Sequence, residues 1–207
     1  MAKGSAAGTL SLRERNKIRT RQELLQSALE VFAEVGYGGA TVEAIATLAG
    51  ASKVTVYTYF PQGREELFRE LYEQINTELL ERAAVVYAEP GDFADHIQAL
   101  ARALFDVAER PLQGRFYSID DPALDQAVNP VRGHASSVWI GLISDDLAHA
   151  AARGEIGTDN PDALATLIVG AMRWALTDIA RRRATAHDLL AGLDALVRGL
   201  SHRHTVA

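Results

Sequence analysis

Residues 41–60 read TVEAIATLAGASKVTVYTYF, and the spacing of caps and apolar side chains within these twenty residues decides the fold. Thr41 is a good N-cap, and Val42, Ile45, Ala46 and Ala49 follow at i, i+3, i+4 and i+7, one face of a helix. Gly50 ends that helix. Ser52 caps another only two residues later, running from Lys53 to Phe60 and stopped by Pro61. A helix of about eight residues does not hold in water alone, so tertiary packing must support it. Helix, tight glycine-containing turn and short second helix form the compact unit that places its second helix in a DNA major groove.

Outward from this unit the chain reads as helix throughout. Upstream, a helical pattern starts near Arg13, carries Ile18, Leu25, Ala28, Leu29 and Phe32 on one face, and ends at Gly36-Tyr37-Gly38-Gly39. Downstream, a connecting helix over 64–88 carries the stripe Leu67, Leu71, Ile75 and Leu79. Further helices are expected at 92–109, 111–118, 130–153, 161–183 and 186–202, with no period-two alternation and no internal repeat. The expected organisation is all-α: residues 1–12 a disordered arm, 13–63 a three-helix helix-turn-helix domain, and 64–207 a larger helical dimerisation and effector domain.

Charge divides the same way. The net charge is −6, yet residues 1–64 carry 8 Lys/Arg against 5 Asp/Glu, and residues 65–207 carry 13 against 22. The basic end suits a polyanion and the acidic remainder repels one. Within the basic end, Arg13, Arg15, Lys17, Arg19 and Arg21 are expected to form an arm adding phosphate or minor-groove contacts. At roughly 100° per residue, Val56 and Phe60 share the buried face of the short helix. Val54, Thr55 and Thr58 lie opposite, small enough to approach base edges. Tyr57 and Tyr59 flank them, where phenolic hydroxyls reach the phosphate strands bordering a groove. Ser52 and Lys53 stand at the positive end of that helix, and Thr41 at that of its predecessor.

The Thr41–Phe60 segment resembles the DNA-binding signature of the TetR family of repressors. Arg64-Glu65-Glu66-Leu67 opening the next helix and the run Ala28 to Tyr37 upstream are similar to that family as well. The resemblance spans roughly residues 18–80. It implies that Thr41, Ser52, Lys53, Thr55, Tyr57 and Tyr59 face double-stranded operator DNA, that Val54 and Thr58 are variable reading positions, and that Arg64 lies near the backbone. Ala51 stands where Val is commoner, and Pro61-Gln62-Gly63 replaces a Lys-rich turn.

By the same resemblance the acidic domain forms a homodimer and encloses a small-molecule effector pocket. For the dimer, two stripes stand out independently: Leu164, Leu167, Ile168, Ala171, Ala175 and Ile179, then Leu189, Leu193, Leu196, Val197 and Leu200. Paired with their copies they form a four-helix interface; closing the domain's own core is the alternative. For the pocket, aromatic and polar residues cluster at Tyr87, Phe93, His96, Phe105, Arg115, Phe116, Tyr117, His134 and Trp139. An inward-facing Arg115 would favour an anionic or polar effector.

Rival classes find little. The chain lacks cysteine, a glycine-rich phosphate loop, an HExxH pair and a Gly-x-Ser-x-Gly elbow, so no enzyme, cofactor or metal is expected. His202-Arg203-His204 reads as a solvated tail. No run of about 18 apolar residues and no secretion signal are evident, so a cytoplasmic protein without membrane contact is expected. An activator on the same scaffold stays open.

Overall fold

Ser11 opens the first helix with a reciprocal cap: its hydroxyl accepts from the Glu14 N–H, while the Glu14 carboxylate accepts from the Ser11 N–H at 2.8 Å. The structure, a computed structural model, describes residues 11–121, 124 and 133–201. Helix α1 spans Leu12–Gly39 and leaves helical geometry at Gly36, within the predicted glycine terminus. Residues 13–21 are therefore helical turns of α1, and the basic residues expected in a separate arm sit on this helix. Ile18, expected inside, is 45% exposed because the helix overhangs the core at this end.

Thr41 and Ser52 cap α2 (Val42–Leu48) and α3 (Lys53–Tyr59), accepting from Ala44 N and Thr55 N respectively. Helix α4 (Arg64–Val86) follows through Gly63, which has φ 62°, a region costing an L side chain about 1–2 kcal/mol. A Cβ there would also stand 3.0 Å from the Tyr57 ring and 3.2 Å from Val42. Hence the Pro61-Gln62-Gly63 turn does two things: it ends the short helix and seats Tyr57. Leu24, Leu25, Ala28 and Phe32 of α1 close on Ile45, Val56, Phe60, Leu67 and Phe68, giving the short helices the packing that their length demands.

The larger part comprises α5 (Phe93–Glu109), α6 (Pro111–Tyr117), α7 (His134–Ala152), α8 (Pro161–Ala180) and α9 (Ala186–Arg198), all near their expected positions. No strand occurs among the described residues; an isolated bridge joins Ile156 and Ser201. Helix α6 folds tightly back on α5 because position 114 is glycine: a Cβ there would lie 2.1 Å from the Ala108 carbonyl oxygen. That reversal lays α6 across both α1 and α8. Phe116 thereby meets Phe32 and Phe68, with ring centroids at 6.0 and 4.6 Å.

The predicted dimer stripes need correction. Ile168, Ala175 and Ile179 of α8, and Leu193 and Val197 of α9, are buried in the chain's own core. Leu164, Leu189 and Leu200 are half-buried beside them. Only Ala171, Leu167 and Leu196 of the predicted set face outward, joined by Trp174, Gly170 and Gly192. The reason is that α8 is apolar nearly all round, so its pattern carries no phase to say which side is inner. By length and composition α8 could cross a membrane, but a third of that stretch is buried against neighbouring helices.

Candidate nucleic-acid interface

Helix α3 is anchored by one side and open on the other. Val56 and Phe60 are fully buried, whereas Val54 is 76% and Tyr57 48% exposed; Lys53 and Thr58 are exposed, and Thr55 and Tyr59 half-buried. The Thr58 hydroxyl donates to the Val54 carbonyl at 2.7 Å, which turns its methyl outward. Val54 and the Thr58 methyl thus present an apolar tip suited to a thymine methyl group. Ser52 and Thr55 share a hydrogen bond at 2.8 Å. The Thr41 oxygen is used in its cap, leaving the hydroxyl proton for a phosphate.

Arg13, Asn16, Lys17 and Thr20 of α1 line a surface groove with Thr58 and Tyr59, so part of the basic N-terminal helix borders the reading helix. Arg21 is committed elsewhere: it grips Glu70 of α4 with both terminal guanidinium nitrogens, Nη1 and Nη2, and covers the Phe60 ring at 4.7 Å. Arg64 is likewise engaged internally, donating to the Tyr37 and Ala40 carbonyls at 3.2 and 3.0 Å and stacking 4.7 Å over the Tyr37 ring. It pins the end of α1 to the start of α4 and leaves the groove-facing set. Glu43, unnoticed in the sequence, pairs with Lys53 across the turn. Its signal was present in principle, since Lys53 follows ten residues later on the adjoining helix.

The expected effector residues do not form one site. Tyr117 and Trp139 come together around a cavity of about 10 Å³, room for about one water molecule, with Leu79, Leu104, Met172 and Arg173. Phe105 and Phe116 are buried core. Phe93 is also core. His134 is exposed, and Arg115 turns out to an open groove beside Arg181, Arg182 and Arg183, its Nε donating to the Pro111 carbonyl. Tyr87 packs at a tilt against His96, which pairs with Asp146 at 2.7 Å, and none of the three lines the Tyr117 cavity. Burial, aided by Asp146, raises the Tyr87 phenol well above its ordinary value. Arg173 was missed; its signal was being the one cation of α8, set within a largely apolar run. Residues 1–10 and His202-Arg203-His204 lie outside the described residues. Among the described residues no cluster of three metal-binding side chains occurs.

A short capped helix, open on its polar side and mounted on an all-helical body, is a helix-turn-helix arrangement. Residues 24–71 match the family described as bacterial regulatory proteins, tetR family. The chain is 30% identical over 92 residues to an HTH-type transcriptional regulator of Bacillus subtilis, YhgD, covering 44% of this chain and 46% of that one. It is 35% identical over 82 residues to the HTH-type transcriptional repressor NicS of Pseudomonas putida, covering 40% and 37%. The matched segments thus span less than half the length of these curated relatives. Among solved structures, the fatty acid degradation regulator FadR of Bacillus halodurans superposes with TM-score 0.73 at 18% identity, covering 89% of this chain and 97% of that one. A TetR-family regulator of Pectobacterium atrosepticum superposes with TM-score 0.64 at 23% identity, covering 94% and 99%. Residues 24–71 thus carry a segment of the tetR family, and the chain as a whole shares the all-helical fold of the superposed structures.

Proposed function

We propose that this chain is a cytoplasmic regulator of transcription that binds a pseudo-palindromic operator as a homodimer, represses there, and is released by a small-molecule effector. Residues 13–63 read DNA, and residues 64–207 dimerise and take the effector. The observation that carries the reading is α3 itself: Val56 and Phe60 have no exposure while Val54, about half a turn from Val56 on the other side, is 76% exposed. A helix held so firmly by one edge, with small and phenolic side chains on the other, is built to enter a groove. The curated relative NicS is named as a repressor. The DNA-contact set is Thr41, Ser52, Lys53, Val54, Thr55, Tyr57, Thr58 and Tyr59, supplemented by Arg13 and Lys17.

Release follows from packing. An unbroken line of rings runs from Phe32 and Tyr37 in the reading domain, through Phe68 and Tyr72 of α4 and Phe116 of α6, to Tyr117 at the cavity, with the Tyr72 and Tyr117 centroids 4.5 Å apart. A ligand that enlarges the cavity must displace Tyr117 and the α4 wall, and α4 leads directly to the reading head. A coupling of about 1–3 kcal/mol suffices to change operator affinity tenfold or more. Selection from a random duplex pool is the test. Enrichment of an inverted repeat with half-sites about 34 Å or more between centres is expected. Binding that ignores sequence, or no binding at low salt, overturns the proposal.

A further inference from the structure

Arg173 is a half-buried guanidinium without a carboxylate partner among the described residues. Its contacts are long and neutral: the Ser136 hydroxyl at 3.4 Å, the Tyr72 hydroxyl at 3.3 Å, and the Tyr117 ring at 5.5 Å. Beside it, the indole N–H of Trp139 has no hydrogen-bond partner among the described residues although Trp139 is only 3% exposed. Both groups are donors, and both line the same small cavity, whose other walls apart from Ser136 and Tyr117 are apolar: Leu79, Leu104, Ala135, Val169 and Met172. Holding a cation out of water without a counter-charge opposes folding, and an orphaned buried donor does the same. Two such groups converging on one point form a socket for oxygen acceptors bearing negative charge.

We propose that the effector is an organic anion with an apolar body, its carboxylate or phosphate head bound by Arg173 and the Trp139 N–H, with the Ser136 hydroxyl as a third donor. This rests on the effector reading above and names the chemistry of that site. The Tyr117 hydroxyl is not available as a fourth donor, since it is given to Asn76 Oδ1 at 2.7 Å. Because the cavity holds about 10 Å³, the body of the ligand must part α7 and α8 from α4, with unbranched Met172 the softest wall. Recognition of charge and opening of the core are thereby one event.

The test is calorimetry on the full chain without DNA, titrating octanoate, benzoate and phenyl phosphate against octanamide and benzamide. At least one anion is expected to bind ten times more tightly than the neutral probes. Arg173→Met should weaken it roughly ten- to a hundredfold, the usual worth of hydrogen bonds to a charged group, and Arg173→Lys should recover part of the loss. In a Trp174→Phe background the single remaining indole, Trp139, should change its emission on binding, a readout available even if Arg173→Met fails to fold. Neutral probes binding as well as the anions, anion affinity indifferent to both Arg173 variants, or no anion bound at millimolar concentration each overturns the inference. Operator binding is measured separately. Sequence-specific DNA binding without anion binding defeats this inference alone, and anion binding without DNA binding defeats the proposed function instead.

Discussion

In the free protein the Lys53 ammonium is held by the Glu43 carboxylate, a pair exposed on both sides, with the carboxyl held below its ordinary range by Lys53. A DNA phosphate must displace Glu43 to reach Lys53. Glu43 therefore acts as a built-in competitor that weakens contact with any duplex, whatever its sequence. Glu43→Gln is expected to tighten operator binding by up to about fivefold at low salt, the scale of one exposed ion pair, with no change in base preference. Fluorescence anisotropy titrations of variant and parent check this; equal dissociation constants would mean that Lys53 does not touch the backbone. Lys53→Ala should lower the slope of log affinity against log salt by about 1, as loss of one phosphate contact requires.

Between elements, the joint that matters is α4 against α6, since α6 spans from the reading domain to α8. Arg110, between α5 and α6, donates to both oxygens of Glu78 on α4 at 2.6 and 2.9 Å, and Arg82 adds a third contact. The Arg110 hydrogen bonds hold the Glu78 carboxyl below the ordinary carboxylate range, outweighing its partial burial. A depressed carboxyl contributes stability in full above its unfolded value, about 4.3, and loses it as pH falls through the lower folded value. Glu78→Gln should thus lower Tm at pH 7 and flatten its decline between about pH 5 and 3. Parallel Tm-against-pH curves for the two proteins would refute the assignment. Gly114 belongs to the same joint, because the close approach that it permits is what brings Phe116 to Phe68.

For the whole molecule, the decisive surface is the outer side of α8 and α9. Leu167, Trp174 and Leu196 are 70%, 69% and 57% exposed around the small residues Gly170, Ala171 and Gly192. An apolar helix with one side in its own core and the other bare asks for a cover, and a second copy turned about a twofold supplies one of matching chemistry. Leu167→Glu is expected to yield a folded monomer in sedimentation velocity, with Trp174 emission shifted to the red. Operator affinity should fall on the order of a hundredfold as the second reading head is lost. A dimer that survives this change would place the interface elsewhere. The acidic balance of residues 65–207, 13 Lys/Arg against 22 Asp/Glu, then keeps the body off the duplex while the heads engage.

The helices, their caps at Thr41 and Ser52, and the division of α3 into an inner edge of Val56 and Phe60 and an outer edge of Val54 and Thr58 were determined by the sequence alone. Each depends on spacing within a few residues, where side-chain chemistry and helical period act together. Only tertiary structure decided which arginine turns inward, Arg173 and not Arg115, and which side of α8 is bare. It also decided that Arg21 and Arg64 serve the fold. An arginine points where its nearest acceptor or ring lies, and those neighbours, Glu70, Tyr37 and Tyr72, come from distant parts of the chain. A helix apolar on every side has no period from which its orientation can be read, so partners brought close by folding choose it.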